Sequence, residues 1–159
     1  MIFMKKLFLA LAAISLLACG KESSKNEVIV EPEEIIYGAT FYKGTVSVTF
    51  QGNPFDNEDI EVCITPSVDY KTASIEIFQI QFVPQMPVKI DITIPNVELT
   101  RTEDELLLAC ESVVPLAMNG EFPQYTVTNL TGKLTSTTLD FSLNFGSFPT
   151  SFSGTLLVK

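Results

Sequence analysis

Histidine and tryptophan are both missing from the 159 residues, and cysteine occurs only three times. Without His there is no Ser-His or Cys-His nucleophile arrangement and no imidazole-bearing metal site. No stretch matches GxSxG, GxGxxG or a P-loop, so acyl transfer, dinucleotide binding and phosphate cradling lack their usual sequence carriers. Cationic residues are sparse. Ten Lys and Arg face 19 Asp and Glu, and after Lys6 no two are adjacent, which leaves no basic patch for nucleic acid. The lack of Trp also argues against the aromatic girdles of a barrel embedded in an outer membrane. Helical patterning is scarce too. The window from Thr102 to Ala109 opens with acids suited to a helical first turn, but its three consecutive leucines make no amphipathic stripe. The chain is therefore expected to be neither an enzyme nor a nucleic-acid binder, and to need no cofactor.

What is present begins with a leader. Lys5 and Lys6 precede an apolar run from Leu7 to Leu17, broken only by Ser15 and followed by small Ala18 and then Cys19, which is the layout of a secretory signal. The run is too short to span a bilayer, which takes roughly twenty apolar residues. Leu16-Leu17-Ala18-Cys19 resembles the lipobox of bacterial diacylglyceryl-modified lipoproteins. That resemblance implies that residues 1–18 are removed and that Cys19 becomes the first residue and carries lipid. Acyl chains, each burying methylenes at about 0.8 kcal/mol apiece, would hold the protein on a membrane without crossing it. The implied location is the bacterial cell envelope, anchored at the outer membrane on its periplasmic or surface side. Loss of the leader removes two lysines and no acid, so the formal charge moves from −9 to −11. Such a surface repels nucleic acid and anionic headgroups. Residues 19–36 read as an acidic flexible tether, with Glu31-Pro32-Glu33-Glu34 extending it by like charge.

From residue 37 to 159 the pattern has period two. Tyr42, Gly44, Val46, Val48 and Phe50 alternate with Lys43, Thr45, Ser47 and Thr49, the mark of a strand with one buried face. Gln51-Gly52-Asn53-Pro54 reads as a connection. Further strands are expected at Ile60–Thr65, ended by Pro66, at Ala73–Ile77, and at Met86–Ile94, ended by Pro95-Asn96. After Ile77 the apolar phase slips to Phe78, Ile80 and Phe82, which predicts a β-bulge. Leu106–Cys110 is a short apolar strand, and Val113–Met118 forms another, broken by Pro115 and followed by the turn signal Asn119-Gly120. A strand starting at Tyr125, a hairpin from Gly132 to Phe145 and a last strand from Phe152 to Val158 complete the chain.

Eight to nine short strands with short connections and almost no helix limit the class to a sandwich or a barrel. The opening Tyr42-Lys43-Gly44-Thr45-Val46 is similar to the closing Phe152-Ser153-Gly154-Thr155-Leu156, as expected of two strands that meet to close a cylinder. Together with the lipobox, the acidic tether and the Gly132–Phe145 hairpin, these strands resemble the calycin-like β-barrel lipoproteins of Bacteroidetes. The resemblance implies an all-β fold, an eight-stranded antiparallel up-and-down barrel of lipocalin-like form, and supplies no site residues.

The inward set is then Tyr42, Val46, Val48, Ile60, Val62, Ile64, Ile75, Val88, Ile90, Ile92, Tyr125, Val127, Leu139, Phe141, Leu143 and Phe145. A barrel of this size is either filled by its own side chains or holds one small ligand. Two functions follow. In one, a lumen lined by Tyr42, Val46, Val48, Phe50, Ile90, Ile92, Tyr125, Phe141 and Phe145, with its mouth near Tyr42, Tyr125 and Phe145, binds a small hydrophobic ligand at the envelope. In the other, the core is filled and loops or outward Thr-rich faces contact a protein or a glycan. Oligomeric state is not legible.

The remaining polar residues carry bland readings. Glu61, Glu76, Asp91 and Asp140 alternate out of phase with their apolar neighbours, so a carboxylate pair facing across a cleft is not expected. Asp56, Glu58, Asp59 and Glu61 offer oxygen ligands but lack the spacing and glycine of an EF-hand, so no metal site is assigned. Cys63 shares a face with Glu61 and Thr65, and Cys110 with Leu106 and Leu108. A disulfide needs Cα atoms within about 7 Å, so both are expected to remain thiols.

Overall fold

Period-two stretches rich in Val, Ile, Thr and Phe can bury one face only by joining a sheet, and in the computed structural model they join a sheet that closes on itself. The structure describes residues 38–158; the leader, Cys19 and the tether 19–36 lie outside the described residues. Ten strands follow in order: β1 Thr40–Phe50, β2 Asn53–Pro66, β3 Thr72–Ile80, β4 Ile90–Arg101, β5 Leu106–Val113, β6 Leu116–Ala117, β7 Gly120–Glu121, β8 Val127–Leu134, β9 Thr138–Phe145 and β10 Phe148–Leu156. Eight of them form the ring β1-β2-β3-β4-β5-β8-β9-β10, each antiparallel to the next, with β3 paired to β4 and β10 to β1. The seam runs from Tyr42↔Leu156 to Val48↔Thr150. This is the expected eight-stranded up-and-down barrel, closed where the similar first and last strands were expected to meet.

Alternation holds round the ring. Tyr42, Val46, Val48, Val62, Ile64, Ile75, Ile77, Ile92, Ile94, Val97, Leu134, Leu139 and Phe145 are buried, and a fully buried side chain of this kind contributes about 1.5–3 kcal/mol. Bulges with positive φ interrupt the ladders at Asp59 (59°), Gln79 (60°), Asn96 (57°) and Asn129 (54°), and register shifts occur at each. Such bends let eight strands close. The slip after Ile77 is one of them, held by Asp91, whose carboxylate accepts from the Gln79 backbone N–H (2.9 Å) and side-chain amide (3.0 Å). Closure also needs bare backbone. A Cβ on Gly44 would meet the Ser153 carbonyl oxygen at 2.0 Å, and one on Gly132 the Asp140 carbonyl oxygen at 2.5 Å.

Several boundaries differ from expectation. β2 begins at Asn53 rather than Ile60, because Gln51 (φ 53°) and Gly52 (φ 82°) alone make the two-residue turn that the strand twist favours. Asp56, Glu58, Asp59 and Glu61 therefore lie along a strand. Pro95-Asn96 does not end β4. The missing N–H falls beside the Asn96 bulge, where it breaks no regular rung, and the strand runs on to Arg101. Residues 86–89 belong to a connection, so Val88 is 59% exposed instead of inward. Val113–Met118 is no separate barrel strand. β6 pairs with β4 through Ile92↔Ala117, then turns back at Met118-Asn119 into β7. Tyr125 ends a short 3-10 turn, Pro123–Tyr125, and β8 starts at Val127. β10 stops at Leu156, leaving Val158 exposed.

Candidate functional site

The residues expected to line a ligand-filled lumen fill it themselves. Tyr42, Val46, Val48, Ile92 and Phe145 retain 0% of their accessible surface, Phe141 3% and Ile90 6%. Side chains bordering a water-sized void would show accessible surface, so this interior is packed. Nor is there the single mouth expected near Tyr42, Tyr125 and Phe145. Tyr42 sits near the end where β1 starts, called here the lower end. Phe145 is the last residue of β9 and Tyr125 precedes β8, which places both at the upper end.

The upper end is closed by rings. Phe82, carried on the β3–β4 connection, stacks on Tyr125 (centroids 4.4 Å apart), meets Phe145 edge-on (5.2 Å) and lies 5.7 Å from Phe148. Phe122 extends the stack beyond Tyr125 at 4.8 Å, and Phe50 flanks Phe148 at 6.5 Å. Each such pair adds about 0.5–1.5 kcal/mol beyond burial. Phe82, Phe122 and Phe148 were not among the expected lining residues. Their aromatic type was the available signal, but their convergence depends on two connections folding inward. The connection bearing Phe82 is pinned by the Phe82 N–H donating to Met86 Sδ (3.4 Å) and the Gln81 amide donating to the Met86 carbonyl (2.9 Å). Asn57, buried within β2, donates to the carbonyls of Gln81 (3.1 Å) and Val46 (3.4 Å) and accepts from the Gln81 N–H (2.9 Å). Phe141 is used elsewhere, stacked on Phe152 at 5.3 Å. One polar atom is left inside. The Tyr42 hydroxyl is buried without a hydrogen-bond partner among the described residues, and burial pushes its pKa from 10.0 up to about 12.

Concavity lies outside. Across β1, β10, β9 and β8 the outward side chains are short and hydroxylic, and the register sets them in rows. One row reads Thr45, Ser153, Asp140, Lys133 and Leu107; the next reads Ser47, Ser151, Ser142 and Thr131; a third carries Pro149, Asn144 and Thr128. Two adjoining clefts follow these rows, of about 630 Å³ over the first two and about 390 Å³ toward Thr49 and Asn129, sharing Ser47, Ser142 and Ser151. The Ser153 hydroxyl donates to Asp140 Oδ1 at 2.6 Å. Lys133, paired across the strand with Asp140, reaches Glu105 at 4.0 Å. The partly exposed Leu107 bounds this end.

The rest of the wall is acidic. Asp56, Glu58, Asp59 and Glu61 on β2, Glu76 on β3, Asp91 and Glu98 on β4, and Glu111 on β5 contrast with β1, β8, β9 and β10, whose charges are Lys43, Lys133 and Asp140. Glu61, Glu76, Asp91 and Asp140 all take the outward phase expected of them. Asp59 meets Lys43 at 3.4 Å across an exposed gap, a pair of small worth. Among the described residues no three His, Cys, Asp or Glu gather to hold a metal ion. Cys63 and Cys110 are thiols on the non-adjacent strands β2 and β5, and burial raises the Cys110 thiol pKa. Set against protein-family models, curated proteins and solved structures, the chain matches none.

Proposed function

We propose that this protein is a lipid-anchored envelope barrel with a filled core, which engages a partner through its outer wall of Ser and Thr rather than through a lumen. The observation that carries the reading is the pairing of a packed interior with clefts across β8, β9, β10 and β1. A rigid sheet holds short side chains at fixed spacing with little entropy left to lose on binding. The Leu16–Cys19 sequence supports the anchor. Apolar-in, polar-out alternation supports a domain in water above the membrane, since an embedded barrel presents its apolar residues to lipid.

Location of the partner is testable without knowing its identity. Photo-crosslinking residues placed at Ser142 or Ser151 of the full chain in its native host should give an adduct, and the same group at Glu61 or Glu76 should not. Adducts from the acidic wall, or none from the hydroxyl wall, would overturn the reading.

The unpartnered Tyr42 hydroxyl favours a second reading, in which a small apolar molecule carrying one acceptor atom enters the lower end and displaces core side chains. Native mass spectrometry of the full chain in detergent would then show a bound species that Tyr42→Phe loses.

A further inference from the structure

The larger cleft has chemical polarity along its length, and this narrows what it would take. At one end stands Asp140, whose Oδ1 is occupied by the Ser153 hydroxyl, while Lys133 beside it is drawn toward Glu105. A carboxylate has about four lone-pair sites, so Asp140 retains acceptor capacity at the cleft, and the oxygen of Ser153 can accept in turn. The floor beyond, formed by Thr45, Ser47, Ser142 and Ser151, carries hydroxyls that both donate and accept. Two rings, Phe141 and Phe152, lie beneath the cleft but are only 3% and 2% exposed, so they offer little face for stacking, and Lys133 is its one cationic residue. A nucleotide, a phosphate or a phenolic ligand would find little there.

Resting on the outer-wall reading above, we infer that the cleft binds a neutral glycan chain, with Asp140 and Ser153 taking a vicinal diol at one end. Two adjacent sugar hydroxyls can donate to one carboxylate, a charge-assisted contact about twice as strong as a neutral one. The following sugar units lie along the hydroxyl rows, where each exchanges donor and acceptor roles with Ser or Thr. Leu107 gives the C–H face of the first ring an apolar edge. Charge agrees with this choice. The chain is strongly acidic as a whole, yet strands β1, β8, β9 and β10 carry only Lys43, Lys133 and Asp140 as charges, with Glu105 at the margin beside Lys133, so a neutral polymer meets no repulsion there while a polyanion is repelled by the rest of the molecule.

The test uses the full chain in detergent micelles over surfaces bearing an α-1,4-glucan or an α-1,6-mannan, both neutral and rich in vicinal diols. Retention is expected on at least one. It should vanish on the same polymer after periodate cleavage and borohydride reduction, which destroys the diols and leaves the polymer neutral. Asp140→Asn should weaken retention at least tenfold and Ser153→Ala severalfold, with unchanged melting temperatures because both side chains face outward, and Glu76→Gln should have no effect. Retention that survives diol cleavage or Asp140→Asn overturns the inference, as does a lack of retention on both polymers. In the latter case, crosslinked adducts at Ser142 and Ser151 would show that the wall reading survives with a different partner, and their absence would remove both.

Discussion

Asn57 ties two bends together. Its side chain joins β1 at Val46, beside the register shift after Gly44, to the start of the connection carrying Phe82. Replacing it with Ala leaves the Gln81 N–H and two carbonyls short of a buried partner, and each such orphan costs about 1–3 kcal/mol. Asn57→Ala should therefore lower the denaturation midpoint by the equivalent of about 2 kcal/mol or more, with an unchanged m-value in urea. Tyr42 is the opposite case, a buried hydroxyl without a partner among the described residues. Tyr42→Phe should raise stability at pH 7 by on the order of 1 kcal/mol; an equal loss would mean that the hydroxyl is satisfied in solution. The phenol also has a signature in alkali. Its folded pKa of about 12 exceeds the 10.0 of the unfolded chain, so the neutral phenol's contribution is intact below about pH 10 and fades as pH climbs through about 12. Melting curves of the wild type across that window should show a decline that Tyr42→Phe reduces, and absorbance titration of the variant should lose its latest-ionising component.

At the level of strands and turns, the two features most open to test are the glycine contact at the seam and the ring stack. Gly44→Val places a side chain where the Ser153 carbonyl already lies. It should part β1 from β10, seen as lost hydrogen-exchange protection at Tyr42–Val48 and Thr150–Leu156. Phe82→Ala should cost about 3–5 kcal/mol and let an apolar fluorescent probe enter the upper end, which the wild type should exclude. The same elements explain what sequence reasoning could and could not see. Leu139–Phe145 was legible because an uninterrupted alternation has one interpretation. The slip after Ile77 was legible because apolar residues resumed in the opposite phase. Asn96 and Asp59 were misleading, since Asn after Pro resembles a stop and an acidic run resembles a loop, yet each became a bulge inside a continuing strand. A bulge is set by what its partner strand requires, and no local pattern records that. The site was legible in part. Outward Thr and Ser could be assigned to a face from period two, but their assembly into rows required the registers of four strands, including the one that joins the two ends of the domain.

For the molecule as a whole, the ring has no step that skips a neighbour except through the small β6–β7 hairpin, and its last rung joins residues more than a hundred positions apart, as in Tyr42↔Leu156. Until β10 arrives, β1 and β9 each present an unsatisfied row of amides, the kind of border that recruits other chains. A chain stopped before Phe148 should therefore be recovered as aggregate rather than as a smaller folded form. During biosynthesis the same geometry sets an order of events. Delivery of the polypeptide has to finish before the domain can protect itself, so a chain paused late in synthesis would be at its most adhesive just before it becomes inert.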